Sequence, residues 1–388
     1  MTDRRENEEK TKLRDSKAVE EKGRKSRSQW KLIWLQFKRH KAAIFSLWLL
    51  FVFLLFSGFG EFLVPNSPFA QFEGKKYSPP ISIHFIDEEG QFHLKPFVYK
   101  YEKKLDPETW QTKWTPVRDR KYFLKFFVSG SKYKLLGFIP TDIHLFGTGE
   151  GNPPLFLFGT DNLGRDVFSR TIYATRISLG IASIGVLISL IFGIFFGGLS
   201  GYYGGVIDNM IQRTSELLLS IPKLPLWMAL AASIPSQWSI IKVYMAIVVI
   251  VSLMNWPWMA RDIRSKLISL REEDFISAAQ SYGASDARII FHHLIPNFLS
   301  YIIVSVTLTA PAMILLETAL SFLGIGLRPP AISWGVLLEQ AQNFQDVILH
   351  PWLLIPGAFV VIAILALNFV GDGLRDAADP YSYTGRGG

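Results

Sequence analysis

The sequence predicts an all-α polytopic membrane protein with six transmembrane helices. Nearly half of the 388 residues, 49%, are hydrophobic, and they are gathered into runs rather than spread along the chain. Each run has about 20 residues, the length that an α-helix needs to cross a hydrocarbon core of about 30 Å. The 30 Phe and 11 Trp residues are also numerous, as expected of apolar spans with aromatic belts at the membrane surface.

The predicted spans differ in regularity. Arg213 and Glu216 lie in the first turns of the third span, and Pro222 and Pro225 interrupt it. An Arg–Glu pair three residues apart can satisfy itself near a membrane end, and neighbouring helices can satisfy the backbone groups that a proline leaves free. We therefore expect this segment to cross the membrane. The spans are predicted at residues 42–64, 177–199, 207–234, 240–259, 298–323 and 352–370.

Residues 1–41 are predicted to be a disordered cytoplasmic leader that ends in an amphipathic interfacial helix. The first 28 residues are polar and interleave acidic with basic side chains, so they cannot form a core. From Trp30 to Phe37, apolar residues recur at helical spacing among basic ones, which predicts a helix lying at the membrane surface. A cleaved signal peptide is the alternative for residues 42–64. The long polar leader and the missing small-residue cleavage site favour an uncleaved anchor.

Residues 65–157 differ in composition and are predicted to form a β-rich extracytoplasmic insert. This segment is polar, rich in Lys and aromatic residues, and punctuated by Pro and Gly. Two strand-like runs, 122–128 and 132–139, flank Ser129-Gly130-Ser131, which predicts a hairpin with its turn at that tripeptide. The remaining residues, 158–388, are predicted to form a transmembrane domain with five helices.

Basic residues indicate the orientation of the spans. The net charge is +8, but 14 of the basic residues precede Ala42, so the excess is local and favours a membrane-orientation signal over nucleic-acid binding. The 260–271 loop is rich in Arg and Lys, whereas Arg328 is the basic residue of the 324–351 loop. The positive-inside rule then places both termini in the cytoplasm. The long insert is exempt, because long loops translocate largely regardless of charge.

A polar stretch between two apolar spans, residues 271–297, predicts a helical hairpin in the cytoplasm. Asp274 is a candidate N-cap of its first helix, and Gly283 lies where the chain must turn left-handed after that helix. Ser285 can cap the second helix, which ends or kinks at Pro296. A soluble hairpin in this position has a function outside the membrane.

The same stretch carries a family resemblance. The spacing of Ala278-Ala279, Gly283 and Pro296 resembles the cytoplasmic coupling loop of permease subunits of binding-protein-dependent ABC importers. Further segments are similar to the dipeptide, oligopeptide and nickel branch of that family, and they occur in the expected order. These are residues 158–170, 201–205, 321–335 and 371–380.

One position departs from the family pattern. The family's loop usually has an acidic residue just before the alanine pair, where this chain has Ser277. Glu273 or Asp274, one turn earlier, could supply the charge from nearly the same helical face.

Candidate residues are assigned to three roles: that of Glu317 follows from its position in a span, and the other two are implied by the resemblance. Glu317 lies within the fifth span, and two interpretations compete: it lines the translocation path, or it holds the neighbouring loop with Trp334 in place. The residues implied in coupling to an ATPase are Glu273, Asp274, Ser277, Ala278, Ala279, Gly283, Leu294 and Pro296. The residues of a structural family motif before the second span are Gly159, Thr160, Asp161, Gly164, Arg165 and Asp166.

The resemblance also implies a function and partners. It implies the pore subunit of an ATP-driven importer of peptides, rather than an enzyme, in the bacterial cytoplasmic (inner) membrane. The implied partners are a second permease subunit in a heterodimer, two ATPase subunits and an extracytoplasmic substrate-binding protein. The chain has no Walker A pattern, so ATP is expected on the partner subunits and no cofactor on this chain. No nucleic-acid partner is expected.

Metal and thiol chemistry are not expected. The chain has no cysteine, which excludes disulfides, cysteine-ligated metals and a thiol nucleophile. His292 and His293 are adjacent on a predicted helix, so they point about 100° apart and make a poor metal pair. We expect no catalytic and no metal-binding residues.

Other functions remain open at this point. Within the same branch, the solute could be nickel or another small molecule. A secondary transporter would need no ATPase and predicts an internal repeat. A membrane-anchored sensor would use the insert as its ligand domain and predicts a cytoplasmic output domain.

Overall fold

The computed structural model describes residues 29–105, 112–235, 237–295 and 298–378. Helices form most of the fold, and five strands lie between the helices Lys41–Leu63 and Val167–Tyr203. The leader residues 1–28 and Pro296 lie outside the described residues. The long helices are α1 (Gln29–Phe37), α2 (Lys41–Leu63), α3 (Val167–Tyr203), α4 (Gly205–Ser220), α5 (Lys223–Ala232), α6 (Ile240–Arg271), α7 (Asp274–Ser281), α9 (Leu299–Phe322) and α12 (Ile355–Ala378). The short ones are α8 (Asp286–Arg288), α10 (Trp334–Leu338) and α11 (Phe344–Leu349).

Within the described residues, five helical segments are long and apolar enough to cross a membrane. Their central core joins buried side chains of α2, α3, α6, α9 and α12, with Ile181, Val248 and Met313 fully buried at its centre. The segments are Lys41–Leu63, Val167–Tyr203, Ile240–Arg271, Leu299–Phe322 and Pro351–Ala378.

The third predicted span, 207–234, is not one continuous helix. It is divided into α4, with 16 residues, and α5, with 10, and neither is long enough to count as a span. Between them Ile221 and Pro222 are extended, with ψ angles of 130° and 117°. Proline has no N–H for the helix ladder and forces the preceding residue out of the helical region. The prediction of six apolar helices is therefore not confirmed.

The described parts of the insert and of the 271–297 hairpin lie at opposite ends of the helical bundle. At one end, the indole N–H of Trp334 donates to the carbonyl of Thr171 near the start of α3, 3.1 Å away. At the other end, Arg271 of α6 donates to the carbonyl of Tyr202 near the end of α3, 3.0 Å away. Since the insert leads directly into α3, the long helices place it far from the hairpin.

The insert contains two antiparallel sheets. β1 (His84–Ile86), β2 (Phe92–Leu105) and β3 (Thr112–Phe123) form a three-stranded sheet in that order. β4 (Lys125–Leu135) and β5 (Ile139–Gly147) form a hairpin.

The predicted turn at Ser129-Gly130-Ser131 is wrong. These residues lie within β4, and the chain turns at 136–138 instead, where Leu135 pairs with Ile139. A Cβ placed on Gly130 would lie 2.7 Å from the ring of His144. Glycine is therefore required here by a close contact with the opposite strand rather than by a turn.

Candidate coupling site

The first half of the hairpin is a short helix closed by a glycine. Glu273 occupies the N-cap position and Asp274 is the first helical residue, so the predicted cap at Asp274 is wrong by one position. Gly283 has a φ of +75°, as predicted. The Ala284 N–H donates to Ala279 and the Gly283 N–H to Gln280, which together form a Schellman motif that ends the helix.

The second half of the hairpin begins with a serine cap and continues as a wide helix. Ser285 accepts a hydrogen bond from the backbone N–H of Arg288, as predicted. After α8, residues Ile289–Leu294 form a π-helix rather than the expected α-helix. Ile289 and Leu294 are fully buried together with Ile276 of α7, so a small apolar core holds the two halves together.

The outer surface of α7 carries acidic residues and small side chains. Glu273, Asp274, Ser277 and Ala278 are exposed, and Ala279 is half-buried. The acids lie within one turn of Ser277 on this short helix, so their charge is available beside the small residues. A bulky partner could approach closely here.

Two tyrosines hold the hairpin on the end of α3. The Tyr202 hydroxyl donates to one carboxylate oxygen of Asp286 at 2.8 Å, and the Tyr203 hydroxyl donates to the other at 3.2 Å. Arg271, at the end of α6, donates to the Tyr202 carbonyl. The sequence analysis noted the Gly-Tyr-Tyr-Gly-Gly segment without assigning the tyrosines a contact, because their partner lies about 80 residues away in the chain.

A bidentate ion pair fixes α4 at the same end of the bundle. The guanidinium of Arg264 on α6 donates to both carboxylate oxygens of Asp208, each at 2.6 Å. The Ser200 hydroxyl of α3 also donates to Asp208. Hydrogen bonds and an ion pair therefore join the ends of α3, α4 and α6 next to the hairpin.

At the opposite end, the 159–166 segment forms a buried loop. Gly159 and Gly164 have φ angles of +72° and +73°. A Cβ on Gly159 would lie 2.6 Å from the Ser78 carbonyl oxygen, and one on Gly164 would lie 2.4 Å from that of Phe72. The Thr160 hydroxyl accepts from the Ser78 N–H at 2.7 Å. The loop thus packs tightly against the residues that follow the first span.

The charged residues of this loop bond to each other and to the start of α3. Asp161 accepts from the side chain of Arg165 at 2.6 Å and from its backbone N–H at 2.9 Å. Asp166 caps α3 by accepting from the N–H groups of Phe168 and Ser169. It also accepts from the Asn66 amide at 3.0 Å. Burial raises the pKa of the Asp166 carboxyl to about 6, and the surrounding donors oppose that rise.

Glu317 is fully buried in a network of serines. Its carboxylate accepts from the hydroxyls of Ser321 at 2.9 Å and Ser178 at 3.3 Å. Ser178 in turn accepts from the backbone N–H of Trp334, at 3.1 Å. The carboxylate is thus linked through Ser178 to Trp334, the first residue of α10, and it is closed off from solvent.

The part of the chain that the structure describes contains no group of three His, Asp or Glu residues able to hold a metal ion. The side chain of His292 is exposed in the hairpin.

The arrangement has the features of a transport subunit: several apolar helices, and a polar hairpin at one end of the bundle. A family comparison identifies it. Residues 167–381, more than half of the chain, match the binding-protein-dependent transport system inner membrane component. The chain belongs to this family. The permease also matches the N-terminal transmembrane domain of oligopeptide transport permease C, over residues 28–80.

Several relatives of the permease are similar over most of their length. A dipeptide transport system permease protein DppC from Alkalihalophilus pseudofirmus is 42% identical over 225 residues, which cover 58% of this chain and 71% of the relative. A DppC protein from Lactococcus lactis is 31% identical over 349 residues, 89% of each chain. A putative peptide permease protein from Brucella suis is 40% identical over 247 residues, covering 63% of this chain and 80% of the relative.

Membership of this family confirms the resemblance inferred from the coupling-loop spacing. The permease is the transmembrane subunit of an ABC importer, so the secondary transporter and the membrane-anchored sensor no longer stand as alternatives.

Proposed function

We propose that the permease carries peptides across the bacterial inner membrane and that its hairpin couples this transport to ATP hydrolysis on a separate ATPase chain. The observation that carries the proposal is the clamped hairpin. It exposes an acidic, small-residue surface on α7, and hydrogen bonds of Asp286 and Arg271 tie it to the ends of α3 and α6. A partner that moves the hairpin would move those spans with it.

Peptides are the solute class that the relatives' names support. The A. pseudofirmus and L. lactis relatives are named as dipeptide transport proteins, and the B. suis relative as a putative peptide permease. The complex would contain a second permease, two ATPase subunits and an extracytoplasmic binding protein that selects the peptide.

The hairpin faces the cytoplasm in this proposal, and the insert faces outward. The basic leader and the arginines near the hairpin support this orientation. We also propose that α4 and α5 together make one broken crossing. The start of α4 is bonded to Arg264 near the end of α6, and α5 leads into the start of α6 at Ile240, so the pair follows the whole length of α6. Six crossings then place both termini in the cytoplasm.

Alternating access would follow from closure of the ATPase pair on ATP. The hairpin would sit in a cleft of one ATPase subunit and be displaced when the pair closes, and the spans would rock from inward- to outward-facing as packed units. The insert would lie on the side of the membrane where the binding protein docks.

The experiment that tests coupling uses two glycines with the same backbone conformation. Gly283 in the hairpin and Gly90 in the insert have φ angles of +75° and +77°, and neither has an atom within 4 Å of a built Cβ. Valine at either position costs about 1–2 kcal/mol in backbone strain. Gly283→Val should uncouple the reconstituted complex, so that substrate-stimulated ATPase and transport fall together. Gly90→Val should leave both unchanged. Normal coupling in Gly283→Val would refute the proposal.

A second comparison tests whether the acids replace the missing family carboxylate. Removing both charges, with Glu273→Gln and Asp274→Asn, should reduce ATPase docking more than Ser277→Ala does. Equal effects would show that the acids do not contact the ATPase. Docking is measured as ATP-dependent retention of the ATPase subunits on the immobilised permease.

A further inference from the structure

The β4–β5 hairpin exposes a group of large apolar side chains. Phe138 at its turn is 70% exposed and Phe127 is 69% exposed, although a folded domain normally buries such residues. Several large exposed apolar side chains grouped on one hairpin indicate a contact that covers them. The other exposed apolar residues of the hairpin are Phe126, Leu136, Ile139 and Ile143.

The hairpin lies along the outer end of α2, the first membrane span. The Nδ1–H of His144 donates to the carbonyl of Val64 at 2.7 Å, and the rings of Phe62 and Phe127 lie 6.3 Å apart. At the turn, a Leu136 methyl group lies 3.8 Å from a Cβ built on Gly58. The hairpin therefore runs from the end of α2 back along the helix.

The turn reaches the level of the hydrocarbon core. The α2 sequence has no charged residue from Ala42 to Gly60, and Glu61 is the first charge at this end. Gly58 lies three residues inside Glu61, which at a rise of 1.5 Å per residue is about 5 Å deeper along the helix. Leu136, beside Gly58, thus lies level with the edge of the apolar layer.

Cationic side chains lie just above this level. Lys132 and Lys134 line a cavity of about 320 Å³ together with Glu61 and Arg176. Arg176 is paired with Glu61 at 3.1 Å, so these two charges offset each other. The lysines give the cavity a net positive charge at the height where phospholipid phosphates lie.

Two apolar residues of the hairpin, Leu136 at its turn and Phe127 within β4, have an unusual backbone conformation. Leu136 has a φ of +54° and Phe127 a φ of +53°. Glycine or asparagine would adopt this conformation at lower cost. An exposed leucine at such a position indicates that its side chain has a function there.

We propose that the β4–β5 hairpin inserts its apolar turn into the phospholipid leaflet at the C-terminal end of α2, with Lys132 and Lys134 bound to lipid phosphates. Lipid is the occupant because the exposed apolar surface is continuous with the membrane span beside it, and because the lysines complement anionic headgroups. The insertion anchors the outer end of α2 and is independent of the transported solute.

The test uses the absence of cysteine in the natural chain. Phe138→Cys carries an environment-sensitive fluorophore on the full-length permease in nanodiscs of phosphatidylethanolamine and phosphatidylglycerol. Two controls match it in exposure: Leu54→Cys, 64% exposed on α2, and Leu94→Cys, 88% exposed on the three-stranded sheet. Quenching is compared between lipids that are spin-labelled along the acyl chain and a water-soluble quencher. Ile139→Cys is a second reporter if Phe138→Cys does not fold.

Insertion predicts that the Phe138 label lies about 5–10 Å below the headgroup boundary. It should be quenched by shallow acyl-chain labels, and quenching by the aqueous agent should be lost, as at Leu54 and unlike Leu94. In Lys132→Glu/Lys134→Glu the label should move toward water. Aqueous quenching of Phe138 equal to that of Leu94 would overturn the proposal. Protection that appears only after a substrate-binding protein is added would also overturn it, in favour of a protein contact.

Discussion

The Tyr202 hydroxyl donates a 2.8 Å hydrogen bond to Asp286, joining the last turn of a membrane helix to the second half of the coupling hairpin. The side chain of Tyr202 is 8% exposed and packs in the apolar core of the hairpin, whereas Asp286 is exposed. The bond therefore ties an exposed carboxylate to a buried tyrosine. In the proposed coupling, this bond is one of the contacts through which a displacement of the hairpin would reach α3.

Breaking this bond should loosen the hairpin without unfolding the permease. A hydrogen bond to a charged group is worth about 1.5–3 kcal/mol, so Tyr202→Phe and Asp286→Asn should each increase hydrogen exchange in residues 274–295. Asp286→Asn removes the charge that strengthens this bond and leaves a weaker, neutral acceptor, so Tyr202→Phe should have a smaller effect in the Asp286→Asn background than in the natural chain. Tyr203→Phe is the matched control, because its bond is longer, at 3.2 Å, and its side chain is 48% exposed. Simple additivity of Tyr202→Phe and Asp286→Asn would contradict the clamp.

Gly164→Ala should destabilise the permease strongly. The added Cβ would lie 2.4 Å from the Phe72 carbonyl oxygen, and the φ of +73° is unfavourable for alanine. Strain and overpacking together predict a loss of about 2–4 kcal/mol. Gly74→Ala is the control, because Gly74 has a φ of +70° with no atom within 4 Å of a built Cβ. The thermal midpoint of the purified permease measures the difference, and equal midpoints would refute the steric explanation.

Variants of Glu317 distinguish a positioning role of this residue from a role in the translocation path. If the carboxylate holds the Trp334 loop, Glu317→Ala leaves the Ser178 and Ser321 hydroxyls without their acceptor and lowers the thermal midpoint with or without substrate. Ser178→Ala should then lower the midpoint in the same direction. A variant that keeps a normal midpoint but loses affinity for peptide during transport would instead place Glu317 in the path.

The three-stranded sheet should lose stability in acid. Asp87 accepts from Lys121 at 2.6 Å and from His93 at 2.8 Å, and these hydrogen bonds hold the pKa of its carboxyl well below the usual value of 3.8. The stabilisation is complete above pH 3.8 and is lost as the pH falls through the lower folded-state pKa.

Limited proteolysis with pepsin between pH 5 and pH 2 measures this loss, with variants compared at each pH. The natural chain should become more susceptible toward the acid end. Asp87→Asn should be susceptible throughout and show little pH dependence of its own. The exposed Asp119→Asn serves as the control and should behave like the natural chain. A steep acid dependence in Asp87→Asn would assign the effect to other groups.

The amino-acid sequence by itself predicted the features that depend on local pattern. The lengths of five of the six apolar runs predicted membrane-length helices, because crossing a bilayer requires a continuous apolar helix wherever its neighbours lie. The left-handed Gly283 and the Ser285 cap were also predicted, since each follows from a residue's own backbone preference beside a helix end. The coupling-loop spacing was enough to indicate the family.

Only the tertiary structure decided the features set by residues far apart in the chain. The sequence around Gly130 predicted a turn, but Gly130 lies inside β4. A glycine is needed there because the ring of His144 on the opposite strand leaves no room for a Cβ. Glu317 and Trp334 meet through Ser178, which lies 139 residues from Glu317. Asp286 is held by tyrosines on another helix. A local pattern does not encode these partners, because the close packing that brings them together exists only once the helices and strands have assembled.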